Sequence, residues 1–169
     1  MGKLYIICSI LMATLFVTSS FVQFNDPDWY FWIALYAGAA YVNLMNVVGI
    51  VSYERTLDVG NVMLILGQFL LSKVVLEGGL VRLLSMDLRE RLVRETIGSA
   101  LVIVCMIFQI SASASFDRDS AKQVKTEVAP ATKYGMAMLV GIGYGLSAMF
   151  LMSSNVGPIM KSNTRFKDT

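Results

Sequence analysis

The chain has 169 residues, of which 56% are hydrophobic, and its mean hydropathy is +0.63. Its 14 basic and 12 acidic residues leave a formal net charge of +2, too small for the clustered basic face that a nucleic-acid partner requires. The sequence contains no histidine, which excludes His-ligated haem, Cys/His zinc sites and Ser-His or Cys-His catalytic pairs.

The hydrophobic residues are concentrated in five runs long enough to cross a bilayer, which requires about 20 residues. The first run lacks a small-x-small cleavage site, so we interpret it as a retained anchor rather than a signal peptide. The third run, near residues 61–76, is the weakest candidate because it is short and contains Lys73. The sequence therefore predicts an all-α membrane protein, a bundle of about five transmembrane helices near residues 4–24, 29–52, 61–84, 96–115 and 134–152.

These spans place residues 1–152 in one membrane domain and leave 153–169 as a polar C-terminal tail, with Gly157-Pro158 expected to end the fifth helix. Cys8 and Cys105 lie inside apolar runs, so we expect small buried side chains rather than disulfide or metal ligands. Basic residues are divided almost equally between the two faces. The positive-inside rule therefore does not orient the chain.

The turn between the first two spans consists of Asn25, Asp26, Pro27 and Asp28. Asp26 suits the N-cap of the second helix and Pro27 its first position, where the missing N–H is no loss. Asp28 then lies in the first turn, where its charge complements the helix dipole. The alternative is a cation site, because the oxygen atoms of Asn25, Asp26 and Asp28 suit Ca²⁺ or Mg²⁺ as an incomplete ligand set. We favour the structural turn.

Lys73 and Glu77 are four residues apart, which places them on one face of the third helix. Ionisable residues within a membrane are costly and commonly mark function. The favoured interpretation is a local neutralised pair, with Lys73 extending toward the headgroups. The alternative is part of a proton or ion pathway.

Residues 81–95 predict a basic amphipathic helix at the membrane surface, because four apolar residues recur at helical spacing. Its arginines, together with Phe166 in the tail, are the predicted contacts with anionic lipids or an acidic partner: Arg82, Arg89, Arg91 and Arg94. A solvated helix at the end of the bundle is the alternative. No cofactor is expected, and any bound phospholipid would be structural.

Small residues and single amides inside the spans predict contacts between helices. Gly141-x-x-x-Gly145 and Ala34-x-x-x-Gly38 have the spacing that lets two membrane helices approach closely. Gln23, Gln68 and Gln109 are single amides in or at the ends of spans, and we expect them to hydrogen-bond between helices.

The segment Val22-Gln23-Phe24-Asn25-Asp26-Pro27-Asp28, followed by Trp32 and Tyr36, resembles the signature of the transmembrane protein 220 family. A second, shorter similarity is Arg94-Glu95-x-x-Gly98 at the start of an apolar helix. The resemblance implies a multi-pass helical membrane protein. It implies no reaction, because the family has no established activity.

Three functions remain open at this point. A non-catalytic accessory subunit of a larger membrane complex is the expectation, with lipids and other membrane subunits as partners. The favoured host is an energy-converting complex of the mitochondrial inner membrane. The alternative location is a plastid membrane. A small transporter or ion/proton channel component is the second function. An enzyme is least expected, because the sequence shows no nucleophile–base pair.

Overall fold

The computed structural model describes the backbone of residues 2–25, 28–48, 53–83, 91–120 and 128–164, and the side chains of residues 2–24, 28–48, 54–77, 91–114 and 128–152. Within those ranges the chain forms five α-helices and one 3-10 turn, Gln23–Asn25, without a β-strand. The helices are α1 (Lys3–Val22), α2 (Trp29–Val48), α3 (Tyr53–Leu83), α4 (Arg91–Ser120) and α5 (Pro130–Thr164).

Each of the five helices contains a stretch long and apolar enough to cross a membrane, which confirms the predicted fold class. A helix suits the bilayer because all its backbone hydrogen bonds are made within the segment. The side chains Thr14, Ser19 and Ser20 of α1 follow the same rule, because each donates to the carbonyl four residues earlier. Polar side chains can therefore face lipid here without leaving a donor unpaired.

The third helix starts earlier than predicted. It begins at Tyr53 rather than near residue 61, so Glu54, Arg55 and Asp58 are helical. Its apolar stretch, Glu54–Glu77, lies inside this longer helix. A helix can continue beyond the hydrocarbon layer, and Glu54 in the first turn has the charge that favours a helix N-terminus.

The predicted end of the fifth helix at Gly157-Pro158 is wrong, because α5 continues to Thr164. Proline has a backbone φ close to the helical value, so a helix can pass through it when one hydrogen bond is lost. The first part of the predicted tail is therefore helical. Phe166 lies outside the described residues.

The predicted surface helix at residues 81–95 is divided between two longer helices. Residues 81–83 end α3, and residues 91–95 form the first turns of α4. Residues 84–90 lie outside the described part of the chain.

The helices form a closed ring in which each contacts its neighbours in sequence and α5 contacts α1. One further contact, between α2 and α4, crosses the centre. These two helices run parallel, because Asp28 and Arg91 pair at their starts and Asn46 and Gln109 pair further along both. The core lies along this contact and against α1, and its largest buried side chains include Trp32, Tyr5, Phe16, Met12, Leu35 and Met106.

Candidate functional site

Charged side chains from three helices meet at one end of the bundle, and we call Asp28, Lys73, Glu77, Arg91 and Glu95 the charged cluster. Asp28 lies directly before α2, and its two carboxylate oxygens bind different partners. Oδ2 accepts from Lys73 Nζ of α3 at 2.6 Å, and Oδ1 accepts from Arg91 Nη2 of α4 at 2.5 Å. One carboxylate thus joins the first turn of α2 to two other helices.

Arg91 connects Asp28 to a buried carboxylate on its own helix. Its Nε donates to Glu95 Oε1 at 2.5 Å, while the Glu95 residue is only 1% exposed. A buried carboxylate remains charged only where it is paired and hydrogen-bonded. The Arg91 guanidinium pairs with Glu95 through Nε and with Asp28 through Nη2, as its planar fork of donors allows.

The surroundings of Asp28 keep its carboxyl ionised. Burial by itself would raise the pKa of Asp28, but the hydrogen bond from Lys73 and the positive charges of Arg91 and Lys73 act in the opposite direction. The result is a pKa below the ordinary value of 3.8. Asp28 therefore stabilises the fold as an anion.

The predicted pair of Lys73 and Glu77 is present, at 3.7 Å between Nζ and Oε1, but Asp28 is the closer partner of Lys73. The expectation that Asp28 only complements the helix dipole was incomplete. Its backbone carbonyl accepts from Phe31 N–H at 3.2 Å, as at a helix start, while its side chain bridges helices. The Asn25 side chain, Asp26 and Pro27 lie outside the described residues.

The four predicted basic contacts occupy different positions. Arg91 binds the two carboxylates described above, and Arg94 lies 5.2 Å from the centre of the Phe150 ring on α5, a cation–π contact. Arg82 is near the end of α3, where only the backbone is described. Arg89 and Phe166 lie outside the described residues.

Tyr36, two helical turns after Asp28, packs directly on the backbone of α4. A Cβ atom at Gly98 would lie 2.0 Å from the Tyr36 hydroxyl oxygen, so only glycine leaves room for this ring. The Tyr36 ring also stacks at 6.2 Å between the rings of Phe16 and Trp32. The two segments of the signature, which are far apart in sequence, are therefore in contact.

A second group of polar side chains lies toward the opposite end of the bundle, and we call it the amide cluster. Its centre is Gln109 of α4, which is 0% exposed. The amide cluster joins α4 to the start of α1 and to the second half of α2. Its members are Tyr5, Ser9, Asn43, Asn46, Cys105, Gln109 and Ser113.

The Gln109 amide makes all the hydrogen bonds of which it is capable. Its Oε1 accepts from the Tyr5 hydroxyl and from Asn46 Nδ2, each at 2.5 Å. Its Nε2 donates to Ser9 Oγ at 3.1 Å and to Asn43 Oδ1 at 2.6 Å. A side-chain amide has two donors and two acceptor lone pairs, so Gln109 joins three helices without an unpaired atom.

The prediction that Gln109 bonds between helices is confirmed, whereas Gln68 lies on the exposed face of α3. Sequence reasoning missed Asn43 and Asn46, although their spacing within an apolar run places two amides near one helix face. It also missed Glu95 as a buried carboxylate. The signal was available, because a single acid in the first turns of a membrane helix requires a partner.

The described glycines show which helix faces with small residues contact another helix of the bundle and which do not. Gly38 packs against Met63 of α3, and Gly143 against Leu15 of α1. Gly141 and Gly145, by contrast, have no side chain or neighbouring backbone within 4 Å of an added Cβ. The Gly141-x-x-x-Gly145 spacing therefore makes no contact with another described helix of this chain.

The two clusters hold helices together by hydrogen bonds and ion pairs. The described residues contain no group of three or more His, Cys, Asp or Glu side chains that could hold a metal ion. Both clusters combine donors with acceptors, so each group finds its partner within the bundle. This is the arrangement expected of polar side chains that fix helix positions in lipid.

The fold and the two clusters define a multi-pass α-helical membrane protein. Residues 15–111 match the model of a family described as Transmembrane family 220, helix. The chain belongs to this family, as the resemblance predicted. No curated protein and no solved structure matches the chain. The matched region includes the whole charged cluster, whereas Tyr5, Ser9 and α5 lie outside it.

Proposed function

We propose that the protein is a non-catalytic accessory subunit of a larger membrane complex. The observation that supports this most is the contrast between its inner and outer surfaces. The polar side chains of the two clusters bond to one another across helices, while the outer faces of α3 and α5 are apolar. Only 22% and 17% of the apolar stretches of these helices are buried within the chain.

Lipid or protein must cover those faces in the membrane. Exposed large side chains include Phe69 and Leu76 on α3 and Met138, Met149 and Met152 on α5. Methionine-rich surfaces adapt to partners of different shape. We therefore propose membrane lipids and other membrane subunits as the partners. The Arg91 side chain is 34% exposed, and we propose that anionic headgroups contact this exposed part.

The test compares the full chain with a variant that lacks residues 156–169. Both are extracted in mild detergent and separated on a native gel, and co-migrating proteins are identified. We expect the full chain at high molecular mass and weaker retention of the truncated chain. A matched control replaces Lys161, Arg165 and Lys167 by Ser and keeps the length. A full chain that migrates as a lone monomer would contradict the subunit proposal.

For the location we propose the mitochondrial inner membrane, with a plastid membrane as the alternative. The support is general, since energy-converting complexes in these membranes contain many small additional subunits. A fluorescent fusion of the full chain, imaged with organelle markers, distinguishes the two. Fluorescence confined to another membrane would contradict both.

A small transporter or ion/proton channel component is the second candidate. The buried Glu95, and Lys73 within the apolar stretch of α3, favour it, because ionisable groups in membrane spans commonly lie on ion or proton pathways. Proton flux into liposomes that contain the purified chain tests it. Flux that is lost in Glu95→Gln and retained in Gln68→Leu would support this candidate, and no flux above empty liposomes would contradict it.

A further inference from the structure

The outer face of α3 carries a groove that leads toward a pair of charged side chains. The groove has a volume of about 450 Å³ and is lined by Val62, Ile65, Leu66 and Phe69. This volume is within the range of small-molecule sites in proteins, and the four lining side chains are apolar. The groove therefore fits a hydrocarbon chain better than a polar ligand.

The charged pair continues the helix face that forms the groove. Ile65, Phe69 and Lys73 follow one another at intervals of four residues, which places them on one side of α3. Glu77 is a further four residues along, and the apolar stretch of α3 ends there. From the middle of the membrane outward, α3 therefore presents an apolar groove, then a cation and then an anion.

Both charged side chains have hydrogen-bonding capacity left for a ligand. Lys73 Nζ carries three donors, and within the described part of the chain one of them is used, by Asp28 Oδ2 at 2.6 Å. Glu77 Oε1 lies 3.7 Å from Nζ, which is beyond hydrogen-bond distance. The Lys73 and Glu77 side chains are 31% and 51% exposed, so parts of both lie on the surface of the bundle.

Aromatic residues at the same end of the bundle place this pair at the level of the headgroups. Asp28, which binds Lys73, is followed directly by Trp29 and Tyr30, and both of these rings are exposed. Tryptophan and tyrosine are enriched where the hydrocarbon layer meets the headgroups. A lysine at this depth extends its ammonium toward lipid phosphates while its stem stays in the apolar layer.

A phospholipid with an ammonium headgroup has the same order of groups, because its phosphate lies between its acyl chains and its ammonium. We propose that α3 binds one ethanolamine phospholipid, with an acyl chain in the groove, the phosphate on Lys73 and the primary ammonium on Glu77. A primary ammonium donates hydrogen bonds to a carboxylate, which the quaternary ammonium of a choline phospholipid cannot do. A purely anionic headgroup would place its charge beside Glu77 without compensation.

This site rests on the proposal that lipids are partners of the chain, but not on the subunit proposal. The test therefore uses the purified full chain in detergent. Phospholipids with the same photoreactive acyl chains and with ethanolamine, choline or glycerol headgroups are cross-linked to it, and the adducts are located by peptide mass spectrometry. Adducts on the outer face of α5 are the baseline to which all yields are normalised.

We expect adducts concentrated at residues 62–69, with a yield for ethanolamine about two- to fivefold higher than for choline, the effect of one exposed ion pair. Adducts no more frequent at residues 62–69 than on α5 would overturn the groove as a binding site. Equal yields for ethanolamine and choline, or a higher yield for the glycerol headgroup, would overturn the headgroup assignment.

Glu77→Gln tests the ammonium contact, since it removes the carboxylate charge and keeps the size of the side chain. The preference for ethanolamine should disappear in this variant and persist in Glu54→Gln, the matched control at an exposed position near the other end of α3. A preference that survives Glu77→Gln would overturn the site. A chain that shows the preference but migrates as a lone monomer on a native gel would contradict the subunit proposal alone.

Discussion

The charged cluster and the amide cluster join helices at opposite ends of the same bundle, but with different chemistry. At one end, Asp28 links α2, α3 and α4 through ion pairs whose basic partners are about one-third exposed. At the other, Gln109 links α1, α2 and α4 through neutral hydrogen bonds, and Gln109 itself is 0% exposed, although its partner Asn46 is half-buried. Charges are used where water and headgroups can solvate them, and neutral amides where they cannot.

This difference follows from the cost of burial. A neutral amide with all its bonds made costs little to bury, whereas a charge remains expensive even when paired. The exception is Glu95, a fully buried carboxylate in the charged cluster. Its pairing with Arg91 makes that exception tolerable.

The largest effect is expected from removing the centre of the amide cluster. Gln109→Leu leaves donors or acceptors of Tyr5, Asn43 and Asn46 without their partner. An interhelical bond in a membrane contributes about 0.6 kcal/mol on average, but each orphaned buried group costs about 1–3 kcal/mol. We expect a loss of about 3 kcal/mol in the free energy of unfolding.

Cys8 and Cys105 provide the measurement, since both are buried and free. A thiol-reactive dye then reports unfolding in detergent as these side chains become accessible. Gln68→Leu is the matched control, because it removes the same amide from an exposed position and is expected to change stability little. Equal losses in the two variants would show that the amide cluster is not a stabilising feature.

A smaller loss is expected at the charged end. Asp28→Asn keeps the size of the side chain but removes the charge from two bonds, to Lys73 and Arg91. Hydrogen bonds to charged groups contribute about 1.5–3 kcal/mol each, and the partial exposure of both basic partners reduces that contribution. We therefore expect Asp28→Asn to lower the free energy of unfolding by about 2 kcal/mol. Asp58→Asn, at an exposed position of α3, is the control measured with the same dye.

The two ends are also expected to differ in their response to acid. Because the pKa of Asp28 is lowered in the fold from its ordinary value of 3.8, its stabilisation is present above that value. It is lost as the pH falls through the lower, folded pKa. Thermal unfolding followed by circular dichroism should therefore show an acid-induced loss that is smaller in Asp28→Asn. Identical acid profiles would contradict a stabilising role of the Asp28 charge.

The sequence predicted the five helices, the Lys73–Glu77 pair and the interhelical bond of Gln109. These features depend on local patterns, since apolar runs, i, i+4 spacing and isolated polar residues are visible in one segment at a time. The contacts of Asp28 with Lys73 and Arg91 were not predictable in this way. They depend on how α2 packs against α3 and α4, which brings Asp28 together with residues 45 and 63 positions later.

A loss of about 1–2 kcal/mol is expected for Gly98→Ala, because overpacking of a fitted contact has this cost. The added Cβ would lie 2.0 Å from the Tyr36 hydroxyl oxygen but 3.1 Å from the ring carbon that carries it. Removing the hydroxyl should therefore relieve most of the clash. The cost of Gly98→Ala is measured alone and in a Tyr36→Phe background, and equal costs would contradict this contact.

The smallest effect is expected at Gly141 and Gly145, where an added Cβ meets nothing within 4 Å. Alanine has a higher helix propensity than glycine by about 1 kcal/mol, so Gly141→Ala and Gly145→Ala should leave bundle stability unchanged or slightly higher. A marked loss of stability in detergent would mean that this face packs within the bundle.

The same variants on a native gel address the subunit proposal separately. Unchanged stability with loss of high-mass migration would place a neighbouring helix against α5, since close helix contact in lipid depends on small residues. Unchanged migration would leave the α5 glycines outside any interface and leave lipid as the cover of this face.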